Sequence, residues 1–279
     1  MKIQTAAKLN LSLWVGKINQ DQMHPIESLF DTIDLFDKLS IKKIDQKTCQ
    51  ITSQNKNVPT DDTNIVAKIF NSPLLQFDTG LLVHIEKQIP MGGGLGGGSA
   101  NAAGFLWACN QLFNWQYSRQ QLIKIGSHFG SDIPFFFLGG TAWVTGVGNQ
   151  IEPLQSIKRY YVLILPNIHC DTKKVYQTFD RLNQELDPPP KKTNDLGLNS
   201  LYSAVKIEYP GIATIKNSVQ QITDKKVYLS GSGSTLFVHY ISKKRAHQEK
   251  EKIESSIKNI MCLVVESKKN TIKEDEYDQ

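Results

Sequence analysis

Residues Pro90 to Ala103 read Pro-Met-Gly-Gly-Gly-Leu-Gly-Gly-Gly-Ser-Ala-Asn-Ala-Ala, with six glycines between Gly92 and Gly98. Glycine loses more chain entropy on folding than any other residue, so this density points to backbone that must take left-handed angles or approach a ligand closely. A helix-forming run follows from Ser99. Its positive dipole end and the converging loop amides would suit a phosphate. A purely structural turn is the plain alternative, although turns are ordinarily tipped by far fewer glycines.

Three well-known phosphate motifs do not fit. Gly92, Gly94 and Gly97 match the spacing of a dinucleotide fingerprint, but that site also needs an acidic residue about 20 positions on. No Asp or Glu occurs between Glu86 and Asp132. A Walker loop ends in Gly-Lys-Ser/Thr, whereas Gly98 runs directly into Ser99. The His-Arg-Asp and Asp-Phe-Gly segments of protein kinases are also missing. The chemistry must therefore come from residues outside the loop.

The surrounding pattern supplies candidates and the elements to hold them. From Lys8 to Val15, Leu9, Leu11, Leu13 and Val15 alternate with Lys8, Asn10, Ser12 and Trp14, so Lys8 and Asn10 share one face of a strand. Ile26 to Leu39 carries the next apolar element after the loop Asp21–Pro25. Strand-like stretches follow around Ile41 and Ile51, and Asp61-Asp62-Thr63-Asn64 opens a short helix. Alternation from Leu81 to Ile89 predicts a strand leading into the glycine loop. Helical spacing of Ala102, Phe105, Leu106, Cys109, Leu112 and Phe113 predicts a packed helix after it. Ser118 and Gln121 form a capping box for the next helix, which ends near Gly130. Ser131-Asp132-Ile133-Pro134 then enters an apolar segment, and Thr141 to Thr145 forms a strand.

A second lobe begins near Tyr160. Its order is a strand from Tyr160, a helix capped by Thr172 and stopped by Pro188-Pro189-Pro190, two further helical stretches, strands at Val227–Leu229 and Leu236–Tyr240, a charged helix, and a strand at Met261–Val265. This order resembles a split βαβ lobe. The polar tail after Lys268 is expected to fray.

The length of 279 residues allows two lobes, and 40% hydrophobic against 21% charged residues excludes a mainly disordered chain. No apolar run approaches the roughly 20 residues a membrane helix needs. The chain enters a strand pattern directly from Met1, with neither a signal core nor a transit segment, which predicts a cytoplasmic protein. Cys49, Cys109, Cys170 and Cys262 form no CxxC pair, so no zinc site or disulfide framework is indicated. The net charge of +5 is spread over separate lysine groups without interleaved aromatics, which argues against a nucleic-acid partner.

Pro-Met-Gly-Gly-Gly-Leu-Gly-Gly-Gly-Ser-x-Asn-Ala-Ala resembles the second motif of the GHMP small-molecule kinases. Within that superfamily, further segments are similar to those of the 4-diphosphocytidyl-2-C-methyl-D-erythritol kinases. They are Ala7-Lys8-Leu9-Asn10-Leu11, Gly130-Ser131-Asp132-Ile133-Pro134-Phe135-Phe136, Asn194-Asp195-Leu196 and Leu229-Ser230-Gly231-Ser232-Gly233, in the family's order over nearly the whole chain. The opening segment separates this group from mevalonate, homoserine and galactose kinases.

The resemblance implies an α+β, two-lobe GHMP kinase fold, with a ribosomal-S5-like N-terminal lobe over 1–155 and a ferredoxin-like C-terminal lobe over 156–279. It implies an ATP-dependent kinase of non-mevalonate isoprenoid precursor synthesis that uses Mg²⁺ and phosphorylates the 2-hydroxyl of a cytidine diphosphate methylerythritol, with neither nucleic acid nor membrane as partner. In that reading Asp132 accepts or orients the hydroxyl proton and Lys8 lowers the hydroxyl's pKa. From the residues alone, the alternatives are that Asp132 caps the helix before Pro134, a reading less favoured than the catalytic one, and that Lys8 is a solvated strand residue.

Pro90, Met91, Gly92, Gly93, Gly94, Leu95, Gly96, Gly97, Gly98 and Ser99 would cradle ATP, with the Ser99 hydroxyl near phosphate or Mg²⁺. Asn64 and Lys87 would flank adenine, unless they are only a helix-start residue and an edge-strand lysine. Asn10, Met23, His24, Thr172, Tyr176, Gly231 and Ser232 would line the substrate site with Asp132. One departure concerns the base. The family's Asp-Gly-Tyr/Phe-His is Asp21-Gln22-Met23-His24 here, so a thioether stands where an aromatic ring stacks on cytosine, and Tyr176 would supply the opposite wall. The rival readings are a GHMP kinase for another small alcohol and a non-catalytic nucleotide- or RNA-binding module.

Overall fold

The computed structural model describes residues 1–20, 22–183 and 197–274. Asp21, Asn194-Asp195-Leu196 and Pro188-Pro189-Pro190 lie outside the described residues. Two sheets stack in the middle of the molecule and helices cover their outer faces. The first sheet is built on β1 (Lys2–Val15) and the long β2 (Ile26–Ile44), with β3 (Cys49–Thr52), β4 (Gly80–Glu86), β5 (Thr141–Thr145), β6 (Gln150–Leu154) and β11 (Ile272–Glu274). Its main path runs β11-β1-β2-β4-β3, and β5 joins the first half of β2 and carries β6. Among the described strands of this sheet, β3 and β4 are the pair that run parallel.

The second sheet has the order β10-β7-β9-β8, from β7 (Tyr160–Pro166), β8 (Tyr228–Leu229), β9 (Leu236–Tyr240) and β10 (Ile260–Glu266). Helices α4 (Thr172–Leu182), α5 (Tyr202–Glu208), α6 (Pro210–Thr223) and α7 (Lys243–Ser256) connect these strands. The resulting strand–helix–strand–strand–helix–strand path is the split βαβ arrangement expected from the sequence.

Period-two alternation sorts the side chains into layers. In β7, Val162 and Ile164 face the helices, whereas Tyr161, Leu163 and Leu165 face the first sheet and meet Ala7, Leu9, Leu11, Leu29 and Ile33. On the far side, Phe105 and Leu106 of α2 (Gly97–Leu112) pack with Ile3, Leu39 and Val83, together with α1 (Ile65–Phe70). α3 (Arg119–Ser127) starts with the expected Ser118–Gln121 capping box.

Two expectations are corrected, and one strand is added. Residues 272–274 of the tail pair with Ile3–Thr5 instead of fraying, because β1 offers an unpaired edge there. The residue that caps α4 is Asp171, whose carboxylate accepts from Lys174 N at 3.2 Å, and not Thr172. Strand β6 pairs with β5, although Gln150 to Leu154 gives no strand pattern in sequence.

Candidate active site

β1 supplies the floor of a cleft between the two halves of the molecule. Lys8 and Asn10 are both buried on it. Lys8 Nζ donates to Asn10 Oδ1, lies 3.2 Å from Asp132 Oδ2, and sits 4.3 Å above the Phe30 ring centroid. An ammonium only donates, so Asn10 must turn its carbonyl oxygen toward Lys8. Its amide nitrogen then donates to Ser28 Oγ at 3.0 Å. A buried cation held by one carboxylate, one amide oxygen and one ring face has a single productive position. The solvated-strand reading of Lys8 does not describe this residue.

Asp132 precedes a short 3-10 helix, Ile133–Phe137, with Pro134 in its first turn. Its carboxylate makes no capping hydrogen bond to that helix. It is 28% exposed and points into the cleft toward Lys8.

The glycine loop arches over this floor from β4 into α2. Gly92, Gly94 and Gly96 have φ of 66°, 72° and 71°, the left-handed region that a side chain disfavours. Much of the loop is anchored in the protein: Lys8 N donates to Leu95 O (3.0 Å), Thr235 N to Gly93 O (3.2 Å), and Ser230 Oγ to Gly94 O (3.0 Å). A Cβ on Gly94 would collide with Ser230 O, and one on Gly96 would sit 2.8 Å from Phe136 Cζ. Gly98 differs, because a Cβ there would meet nothing within 4 Å. No side chain caps the N-terminus of α2, where Gly96 is the cap residue. The first turn of a 16-residue helix therefore opens on the cleft, an arrangement that favours an anion.

On one side of the loop stand Asn64 and Lys87. Asn64 caps α1, accepting from Val66 N at 2.9 Å and donating to Pro59 O at 2.7 Å, so both ends of its amide are already engaged while it lines the cleft. Lys87 is not on an edge strand: it follows β4, which lies between β2 and β3. Its Nζ donates to the fully buried Asp37, whose other oxygen accepts from Gln88 N and Ile89 N at 2.8 Å each. Burial lowers the Lys87 pKa against the opposing pull of Asp37. A Cβ on Gly97 would lie 2.6 Å from Lys87 Nζ, so this ion pair buttresses the start of α2.

On the other side, the Thr172 hydroxyl, free of capping duty, lies 2.8 Å from Ser232 Oγ in the turn between β8 and β9. That turn is tied to β1, with Asn10 N donating to Ser230 Oγ at 3.1 Å. His24 faces Tyr176 with ring centroids 5.1 Å apart, and Met23 beside it is 43% exposed. Burial raises the Tyr176 pKa first, and the carboxylates of Asp132 and Asp180 raise it further.

One cleft of about 1030 Å³ is lined by each candidate site residue, from Lys8 and Asn10 through Pro90 to Ser99 to Gly231 and Ser232. That is at the top of the size range of single-ligand pockets. Asp37, Ser28, Ser230 and Asp180 were not singled out. Asp180 had a signal, since it lies four residues after Tyr176 on the same helix face. Asp37 had none, because its partner is distant in sequence. Among the described residues no three His, Cys, Asp or Glu converge as a metal cage, and no helix is long and apolar enough to cross a membrane.

Residues 64–140 match the family model described as GHMP kinases N terminal domain. The chain is 32% identical over 276 residues to 4-diphosphocytidyl-2-C-methyl-D-erythritol kinase of Caldicellulosiruptor bescii, covering 94% of this chain and 96% of that one. A crystal structure of 4-(cytidine 5'-diphospho)-2C-methyl-D-erythritol kinase superposes with a TM-score of 0.77 at 24% identity, covering 96% of this chain and 99% of the other. Homoserine kinase from Cytophaga hutchinsonii has the same fold, with a TM-score of 0.72 at 18% identity over 98% and 96% of the two chains.

Proposed function

The chain belongs to the 4-diphosphocytidyl-2-C-methyl-D-erythritol kinase family, and from that premise we propose that it transfers the γ-phosphoryl group of ATP to the 2-hydroxyl of 4-diphosphocytidyl-2-C-methyl-D-erythritol, a step in non-mevalonate isoprenoid precursor synthesis. The observation that carries the reading is the Lys8–Asp132 pair, 3.2 Å apart, beside the uncapped start of α2 in one cleft.

Phosphoryl transfer passes through a loose transition state, so the protein's work is positioning and charge neutralisation. The backbone amides from Gly96 to Ser99 hold the phosphates. Asp132 takes the hydroxyl proton as the alcohol oxygen bonds to the γ-phosphorus, the bond to the bridging oxygen breaks and ADP leaves. Lys8 stabilises the alkoxide character that develops on the attacking oxygen. A magnesium ion on ATP takes most of its ligands from phosphate and water. The donor set would fit an ion carried in with the nucleotide, which the Ser99 hydroxyl would help to hold while Asp132 stays free to take the proton.

Asn64 and Lys87 line the adenine side. Asn10, Met23, His24, Thr172, Tyr176, Gly231 and Ser232 line the substrate side. The loop and Asp132 belong to an N-terminal lobe over 1–155, and the helix wall to a C-terminal lobe over 156–279. The four free cysteines fit a reducing, cytoplasmic setting.

Lys8 and Asn10 lie on the cleft floor, which favours this substrate over other alcohols. Purified protein with ATP and a panel of alcohols tests the reading. Phosphorylation of the cytidylyl substrate is the expected result, and turnover of mevalonate or homoserine in its place would overturn it.

A further inference from the structure

We propose that Asp37, which does not line the cleft, is a positioning residue for the nucleotide: through Lys87 and the backbone of Gln88 and Ile89 it seats the first turn of α2 and holds a cation ready for ATP. The proposal rests on the reading above that this turn takes the phosphates.

The Lys87 side chain is 7% exposed and that of Asp37 0%. A flexible lysine stem ordinarily carries its charge out to water. Here the ammonium is turned inward, donates to Asp37 and still lines the cleft. It sits beside the start of α2, where the uncapped amides and the helix dipole are positive and repel a cation. Burial works against its charge as well, and Asp37 is the group that opposes burial. Both effects push the ammonium away from α2, and the carboxylate behind it holds it there.

The other carboxylate oxygen fixes the main chain. Gln88 N and Ile89 N both donate to it at 2.8 Å, just before the glycine loop begins at Pro90. A Cβ on Gly97 would lie 2.6 Å from Lys87 Nζ and 2.9 Å from Ile89 Cγ2, so the two side chains that Asp37 sets form the seat of Gly97. The same rung of the β1–β2 ladder reaches α2 one turn further on: Asp37 is paired with Thr5, whose hydroxyl donates to Asn101 Oδ1 at 2.8 Å. Lys8 is held separately, by Asn10, Asp132 and the Phe30 ring. Loss of Asp37 should therefore be felt in ATP binding and not in the transfer step.

The test is a double-mutant cycle, with Kd for a non-hydrolysable ATP analogue read by calorimetry, and KM for ATP and kcat read on the cytidylyl substrate. Asp37→Asn keeps an oxygen for the two amides and loses the charge. Kd and KM should rise about tenfold, while kcat at saturating ATP changes little, the split expected when ground-state and transition-state binding are lost together. Lys87→Met should raise Kd by a similar factor, and Asp37→Asn/Lys87→Met should do no more than Lys87→Met alone. A carboxylate that only braced the backbone would weaken binding in the Lys87→Met background as well; that result overturns the proposal, as does an unchanged Kd in Asp37→Asn. The double variant leaves no buried ammonium unpaired, so its comparison with Lys87→Met decides the matter even where Asp37→Asn alone does not fold. Wild type separates the two readings. Analogue binding and turnover in wild type, with an equal Kd in Asp37→Asn, remove Asp37 alone, whereas neither binding nor turnover in wild type overturns both.

Discussion

Lys8 Nζ stands 3.2 Å from Asp132 Oδ2 and donates as well to Asn10, so one buried ammonium fixes a cleft carboxylate beside the glycine loop. Two side chains from the floor and the wall of the cleft are thereby aimed at one point. Asp132→Asn removes the proton acceptor while keeping the shape, and kcat should fall by about 10²–10⁴-fold. Lys8→Met should fall comparably, since it removes charge from the developing alkoxide. ATP affinity, read by calorimetry, should change only a few-fold in both variants. Undiminished turnover in Asp132→Asn would remove Asp132 as the base.

The loop glycines divide into those that pack and one that faces open space. Gly94→Ala forces a side chain onto left-handed backbone, at a cost of about 1–3 kcal/mol, and drives it into Ser230 O. Thermal unfolding should shift down clearly. Gly98→Ala meets nothing within 4 Å and replaces glycine in the first turn of α2, which should stabilise by about 0.5–1 kcal/mol. The added methyl projects where a phosphate would lie, so KM for ATP should rise even as the melting temperature does. A Gly98→Ala enzyme with unchanged KM would place the phosphates elsewhere.

Much of this site is legible in the chain because its parts are local patterns. Lys8 and Asn10 share a strand face by alternation, the capping box at Ser118 is written in four residues, and six glycines in seven residues mark the loop. What stays hidden depends on distant partners. Asp37 looks like one more polar residue of β2 until folding brings Lys87, Gln88 and Ile89 to it. Residues 272–274 carry no strand signal of their own. Their pairing is supplied by the edge of β1. Thr172 and Asp171 are both good cap residues, and only the geometry of α4 decides that Asp171 caps and Thr172 reaches Ser232.

Met23 is 43% exposed at the cleft next to His24, and the sequence resemblance would set it where an aromatic ring stacks on the base. Met23→Tyr would face Tyr176 across the base and add stacking worth about 0.5–1.5 kcal/mol. KM for the cytidylyl substrate should drop by about 2–10-fold. An unchanged or raised KM, measured at saturating ATP, would mean that Met23 lies outside the base site.

Asp31 ties the two sheets together and makes their union depend on pH. The residue is fully buried on β2, where Tyr161 of β7 donates to one oxygen at 2.6 Å and Thr141 of β5 to the other at 2.7 Å. Burial outweighs these bonds and the nearby Arg159, and raises the carboxyl pKa from 3.8 to about 6. The folded state therefore binds this proton more tightly than the unfolded chain does. Its contribution to stability is complete below about pH 4, declines as pH rises through 6, and is flat above that; the total change is on the order of 3 kcal/mol. Asp31→Asn cannot titrate, so the stability difference between wild type and Asp31→Asn should shift against wild type by about 2 kcal/mol between pH 4.5 and 7.5. Urea unfolding at several pH values measures it. A difference that stays flat across that range would show that Tyr161, Thr141 and Arg159 hold the carboxylate ionised throughout.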